Sequence, residues 1–177
     1  IAAVLLLSRY LFAMFYKPVP VDKNFTPPVT IIIPCFNEET WIRRTIISCL
    51  NQDYPVDSLE VIVIDDCSTD KSLEVVKATI AELSEKEARY KVAERLSYFK
   101  QPQNAGKREA MAVGAKLAKH DLLVFVDSDS FLNPYAIVNL VQPFKDKDMG
   151  GVSGRTDVAN TYTNGLTKMQ AVRYYIS

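Results

Sequence analysis

Asp127 and Asp129 flank Ser128, two carboxylates at i and i+2 directly behind the apolar run Leu122 to Val126. That spacing lets both address one hard divalent ion while water and phosphate oxygens fill its other positions. A metal held there would offset the negative charge that develops when a sugar leaves as its nucleoside diphosphate. Acidic turns after strands are commonly no more than solvated surface. What sets this one apart is its place immediately behind Val124, Phe125 and Val126.

A second group, Gly106, Lys107 and Arg108, opens a helical stretch. Two cations, a helix N-terminus and a glycine that admits close backbone approach suit a phosphate. The pattern is no P-loop, since Arg108 rather than Ser or Thr follows Lys107, and it is no Gly-x-Gly-x-x-Gly turn; a solvated helix start is the competing reading. Polar residues also follow two other apolar runs: Pro34, Phe36, Asn37 and Glu38 after the first, Asp65, Asp66, Cys67 and Ser68 after the second. Phe36 offers a face on which a base could stack, or it simply packs. Carboxylates gathered on one edge repel one another unless a cation or a hydrogen-bonding ligand joins them.

The elements that must position these groups are legible as runs. Val29 to Ile33, Leu59 to Ile64 and Leu122 to Val126 are rich in Val, Ile and Leu, as expected of parallel strands buried on both faces, and Leu96 to Phe99 is a weaker strand. Helical stretches lie between them: Trp41 to Asn51 capped by Thr40, Lys71 to about Glu87 behind Ser68, Thr69 and Asp70, and Lys107 to His120. Strand alternating with helix implies right-handed βαβ units and an α/β fold with a doubly wound, mostly parallel sheet. In such a sheet ligands bind beyond the carboxyl ends of the strands, where all the residues above fall. Further on we expect a helix from Asn133 and Pro134 to about Phe144, a strand near Gly150 to Ser153, and an amphipathic helix from Leu166 to Ser177.

The composition narrows the classes. With 177 residues, 48% hydrophobic and 24% charged, the chain has enough apolar mass for one domain with a core. Twenty-one basic residues balance twenty-one acidic ones, so no overall positive field exists to attract nucleic acid. Cys35, Cys49 and Cys67 form no CxxC pair and fit reduced thiols. His120 is the only histidine, which leaves no material for a His triad or a multi-His metal site.

Residues 1–16 are almost wholly apolar, with Arg9 the one charge, and end in Phe15 and Tyr16 before Lys17. An interfacial aromatic pair followed by Lys17 and Lys23 is the expected cytosolic end of a transmembrane helix, here its C-terminal part; a signal peptide or a buried soluble helix are the alternatives. Residues 17–28 hold four of the nine prolines and are expected to be an extended linker. The folded domain is then expected to span residues 29–177, as the N-terminal part of something longer.

Pro34-Cys35-Phe36-Asn37-Glu38, Val63-Ile64-Asp65-Asp66-Cys67-Ser68-Thr69-Asp70, Asn104-Ala105-Gly106-Lys107-Arg108 and Val126-Asp127-Ser128-Asp129-Ser130 stand in an order and spacing that resemble glycosyltransferase family 2. The likeness is greatest to its processive membrane branch of hyaluronan, chitin and chitooligosaccharide synthases. It implies a GT-A fold, a UDP-sugar donor (UDP-N-acetylglucosamine, and UDP-glucuronate for hyaluronan), a polysaccharide acceptor, and a cytoplasmic catalytic domain at a plasma or inner membrane. By the same resemblance Phe36 flanks the uracil, Asp66 with Asp65 beside it reads the uracil or ribose, and Lys107 and Arg108 hold the diphosphate. Pro34, Asn37, Glu38 and Ser128 complete the nucleotide site, and Asp129 helped by Asp127 ligates Mg or Mn. The general base and a Gln-x-x-Arg-Trp motif are expected downstream of Ser177. Phe36 stands where tyrosine is frequent, and Cys67 where glycine is commoner. A Mg-binding phosphoreceiver domain shares the acidic strand ends but should carry its acidic pair after the first strand. A nicotinamide dehydrogenase needs a glycine-rich turn there instead.

Overall fold

A computed structural model describes residues 19–86 and 90–155. The expected transmembrane segment and the amphipathic helix from Leu166 lie outside those residues. Among the described residues no helix is long and apolar enough to cross a membrane.

Four parallel strands form one sheet in the order β3-β2-β1-β4: β1 Val29–Cys35, β2 Leu59–Asp65, β3 Leu96–Lys100 and β4 Leu122–Phe125. Helices α1 Ile42–Leu50, α2 Ser72–Ser84, α3 Val92–Arg95, α4 Lys107–Leu117 and α5 Ala136–Leu140 fill the connections. Every residue of β1 and β2 is buried, because helices cover both faces of the sheet. Strand side chains alternate between faces. Val29, Ile31, Ile33 and Cys35 pack with Ile42, Ile46, Val76 and Ile137 on the α1, α2 and α5 side. Ile32, Ile62 and Ile64 meet Ala110 of α4 on the other.

Helix α4 approaches the sheet closely at Gly114. A Cβ there would lie 2.4 Å from Ile32 Cγ2 and 3.2 Å from Ile64 Cγ1. Both isoleucines are fully buried and have nowhere to retreat. Gly114→Ala is therefore expected to lower stability by about 1 to 2 kcal/mol, since overpacking outweighs the gain in helix propensity. A urea midpoint at or above that of the parent chain would contradict this.

Several boundaries differ from expectation, each for a local reason. Strands β1 and β2 run on through Pro34, Cys35 and Asp65. Thr40 caps nothing, because Trp41 takes the cap position of α1 without a side-chain bond and its N–H donates to the Glu38 carbonyl. Helix α2 begins after Lys71, and Asp70 serves it from one position earlier, accepting from the N–H and hydroxyl of Ser72. Helix α4 stops at Leu117: the Ala118 N–H makes its last bond, to Gly114, and the following N–H groups turn to other partners, Lys119 N to Glu60 and His120 N to Thr30. Pro143 breaks the helix expected to reach Phe144 into α5 and a 3-10 turn, Gln142–Lys145. No strand forms at 150–153, where Gly150 and Gly151 bring no side chain to pack.

The described part of the expected extended linker folds back in a turn, with Phe25 N donating to the Asp22 carbonyl, and is fastened to the domain. Buried Gln142 bonds both the N–H and the carbonyl of Asp22, Lys145 pairs with the Asp22 carboxylate at 2.9 Å, and Phe25 packs on the core. His120 sits at the amino end of the sheet, away from the strand tips, with Nδ1 3.2 Å from the Thr30 hydroxyl. That hydroxyl gives its one proton to buried Glu60, so His120 meets it with an N–H.

Candidate functional site

At the carboxyl ends of β1, β2 and β4 the loops enclose an open cavity of about 490 Å³. Phe36, Glu38, Asp66, Gly106, Lys107, Asp127 and Asp129 are among its walls. Its shape depends on how the loops are tied.

The β1–α1 and β2–α2 loops are laced to each other. Asn37, in a left-handed conformation with φ 56, accepts at Oδ1 from the N–H groups of Thr69 and Asp70, while its own N–H donates to Ser68 Oγ. Glu38 N donates to Ser72 Oγ, Glu39 N to Asp70, and Lys71 N to Glu39. Cys67 adopts φ 60, so the turn keeps the conformation that favours glycine although a larger residue occupies it.

Asp66 fixes the opposite wall. Only 3% exposed, it accepts at Oδ1 from Gln101 Nε2 at 2.6 Å and Ala105 N at 2.9 Å, and at Oδ2 from Gly106 N at 2.8 Å. One carboxylate thereby shapes the 101–106 loop and aims the start of α4 across the strand tips. Gly106 makes the final turn with φ 90 and ψ 160, a region essentially reserved for glycine. Lys107 then projects back to β4, its Nζ 2.6 Å from Asp127 Oδ1. Both partners are more than half exposed, so this ion pair is worth little and is easily exchanged for another anion or cation.

The metal-type turn is anchored from the other side of the sheet. The Thr45 hydroxyl of α1 donates to the Ser128 carbonyl at 2.7 Å, and Leu132 N donates to Ser48. Asp129 is exposed and has no hydrogen bond among the described residues. Burial, then the charges of Asp129 and Asp70, hold the Glu38 carboxyl above its ordinary range. Carboxylates thus crowd one another here, as the sequence implied. Burial drives the Cys35 and Cys49 thiols up to about 12, so neither is a nucleophile at neutral pH.

Of the residues singled out from sequence, Pro34, Phe36, Glu38, Asp66, Lys107, Asp127, Ser128 and Asp129 share the cavity. Asn37, Asp65 and Arg108 are not among its walls. Asn37 is a latch between loops. Asp65 points into the α1 and α2 side, accepting from Ser68 N at 3.4 Å with Oδ1, while Oδ2 is buried without a partner. Cys35, Asn104 and Ala110 also line the cavity. Ala110 was findable, since it lies one helical turn from Gly106 and so on the same face.

The donor set suits Mg or Mn in one particular way. Among the described residues no cluster of three or more His, Cys, Asp or Glu side chains could hold an ion. Two neighbouring carboxylates facing a basic helix start match a cation that takes one or two carboxylates and completes its shell with water and phosphate oxygens.

A family model, Glycosyl transferase family 2, matches residues 30–176. The N-acetylglucosaminyltransferase of Rhizobium meliloti is 28% identical over 99% of this chain and 41% of its own length. Among solved structures, the mannosyltransferase PcManGT from Pyrobaculum calidifontis, in complex with GDP-Man and Mn2+, superposes with a TM-score of 0.72 at 28% identity, over 89% of this chain and 45% of that one. Staphylococcus aureus TarS 1-349 in complex with UDP-GlcNAc superposes with a TM-score of 0.54 at 28% identity, over 77% and 38% respectively. The chain spans about two fifths of the length of the curated relatives it matches first.

Proposed function

The chain belongs to glycosyl transferase family 2, with a GT-A-type sheet, and on that basis we propose that it holds the donor half of an enzyme moving N-acetylglucosamine from UDP to a growing polysaccharide at a membrane. The observation that carries this reading is the shared cavity: the Asp127-Ser128-Asp129 turn faces the Gly106-Lys107 helix start across the tip of β1, with the Phe36 ring beside it. Phe36 stacks on the base, and the wall that Asp66 shapes meets base and ribose. Lys107 leaves Asp127 for the diphosphate, and Arg108 adds its charge from the next helix position. Asp129 and the released Asp127 hold Mg or Mn, which when bound neutralises charge on the leaving diphosphate. The named relative and the UDP-GlcNAc complex support the choice of donor. The Gly106-Lys107-Arg108 and Asp127-Ser128-Asp129-Ser130 sequences favour, as the finer reading, a hyaluronan-type polymer with UDP-glucuronate as a second donor.

Calorimetry with UDP and GDP, each with Mn and with EDTA, tests the proposal. UDP is expected to bind more tightly than GDP and only with the metal; equal affinity for the two nucleotides would remove the donor assignment. Lys107→Ala is expected to weaken UDP by about 1 to 3 kcal/mol, the loss of a charge-assisted hydrogen bond, while leaving uridine nearly unaffected. Equal weakening of both ligands would place Lys107 away from the phosphates.

A further inference from the structure

Beyond Asp129 the chain leaves the cavity and crosses to α1, where Phe131 meets Trp41 with ring centroids 5.9 Å apart and planes inclined by 53°. The Arg44 guanidinium lies over the Phe131 ring, 3.8 Å from its centroid. Trp41 holds the cap position of α1, three residues after Glu38, yet it is 44% exposed while its neighbours Ile42 and Ile46 fill the core. The core therefore does not need this side chain. Arg43, two residues on, is paired with Glu82 in a two-pronged contact, whereas Arg44 makes no ion pair among the described residues. An exposed indole, buttressed by a second ring over which lies a cation with no carboxylate partner among the described residues, stands just past the acidic turn. Neither aromatic belongs to the walls of the nucleotide cavity.

We propose that Trp41, braced by Phe131 and Arg44, is a stacking platform for the saccharide acceptor. A pyranose ring presents C–H groups on its face, which fit the electron-rich face of an indole, and its oxygens suit the donors of a guanidinium. The location agrees with the sterics of transfer. Nucleotide and diphosphate occupy the cavity, and the Trp41–Phe131 pair lies outside its walls while standing next to the Asp127-Ser128-Asp129 turn in sequence, so a second ligand can reach the pair with the donor in place. The proposal rests on the donor reading above for its choice of ligand, and it adds a specificity-determining surface to it.

Trp41 is the only tryptophan of the sequence, so its fluorescence reports on this surface alone. We would titrate the chain with the tetramer of N-acetylglucosamine, and separately with UDP and UDP-N-acetylglucosamine in the presence of Mn, following emission and, in parallel, calorimetric heats. The tetramer should change the emission saturably, with or without UDP, and UDP alone should leave it unchanged. Phe131→Leu, folded by circular dichroism, should weaken the tetramer at least tenfold while UDP affinity by calorimetry stays within twofold. Arg44→Gln, an exposed change, should weaken it several-fold. No saturable response to the tetramer in a chain that binds UDP would overturn the platform while leaving the donor site standing. A response confined to UDP-N-acetylglucosamine would overturn it too, by seating the donor's own sugar on Trp41. Failure of UDP binding with a saturable tetramer response would overturn the donor reading and keep the platform.

Discussion

Asp66→Ala is expected to lower folding stability by about 2 to 4 kcal/mol and to remove measurable UDP binding with it. The magnitude follows from what the carboxylate does. It is buried and takes bonds from Gln101, Ala105 and Gly106, so its loss leaves one buried amide and two partly buried backbone N–H groups without their acceptor. Asp66→Asn should be nearly as harmful, because turning the new amide to satisfy one donor sets its NH2 against another. The functional loss is indirect: without this anchor Gly106 is no longer held where Lys107 can face β4. Urea denaturation of both variants, with calorimetry at a temperature where each is folded, checks the claim. An unchanged midpoint would show that the 101–106 loop is held by something else.

Asp129→Ala should have the opposite profile, a large effect on binding and almost none on the fold. Its side chain is exposed and bonds to nothing among the described residues, so stability should stay within about 0.5 kcal/mol of the parent. UDP affinity in Mn should fall at least about tenfold, about 1.4 kcal/mol, down to the value seen with EDTA. Linkage adds a signed prediction. Because the Glu38 carboxyl is held above its ordinary value, it erodes stability as pH rises from that value through the raised one. Burial, the larger cause, remains in the variant, but the Asp129 charge does not, so the erosion should shrink. Paramagnetic resonance of Mn binding, together with pH-dependent denaturation, reads both effects. Metal-dependent UDP binding that survives in Asp129→Ala would move the ion elsewhere.

The sheet and most of the site were legible because parallel strands buried on both faces leave unbroken apolar runs, and polar residues then mark their tips. The strand ends were harder. Pro34 looks like a terminator, since proline is excluded from strands flanked on both sides. Yet the Ile32 carbonyl accepts from Val126, which shows that even-numbered residues of β1 address β4, and the β1–β4 register ends at Ile32 and Phe125. Pro34 lies past that point, where a missing N–H leaves no partner unmet. Asp65 could have been read better: it shares parity with Val61 and Val63, so alternation already assigned it to the face packed by α1 and α2, and Asp66 to the tip. The lacing of Asn37 to Thr69 and Asp70 was not legible, because it depends on two loops meeting in space. The same is true of Thr45 beneath Ser128, which nothing local distinguishes from any other helix threonine.

Strand β1 pairs with Leu59 and with Leu122 through the same residue, Val29. The first pairing closes a short stretch of chain and the second a much longer one, which costs more entropy before any contact repays it. A chain emerging from the ribosome can therefore assemble β1, β2 and β3 with α1 and α2 while β4 is still unmade. Phe36, Asp66 and the Asn37 latch belong to that early body. Asp127 and Asp129 join only when β4 docks, so the Phe36 and Asp66 wall of the cavity takes shape before the acidic turn opposite it. Until then Thr30 and Ile32 present an open strand edge to other chains, and the interval between the two pairings is when this fold is most exposed to misassembly.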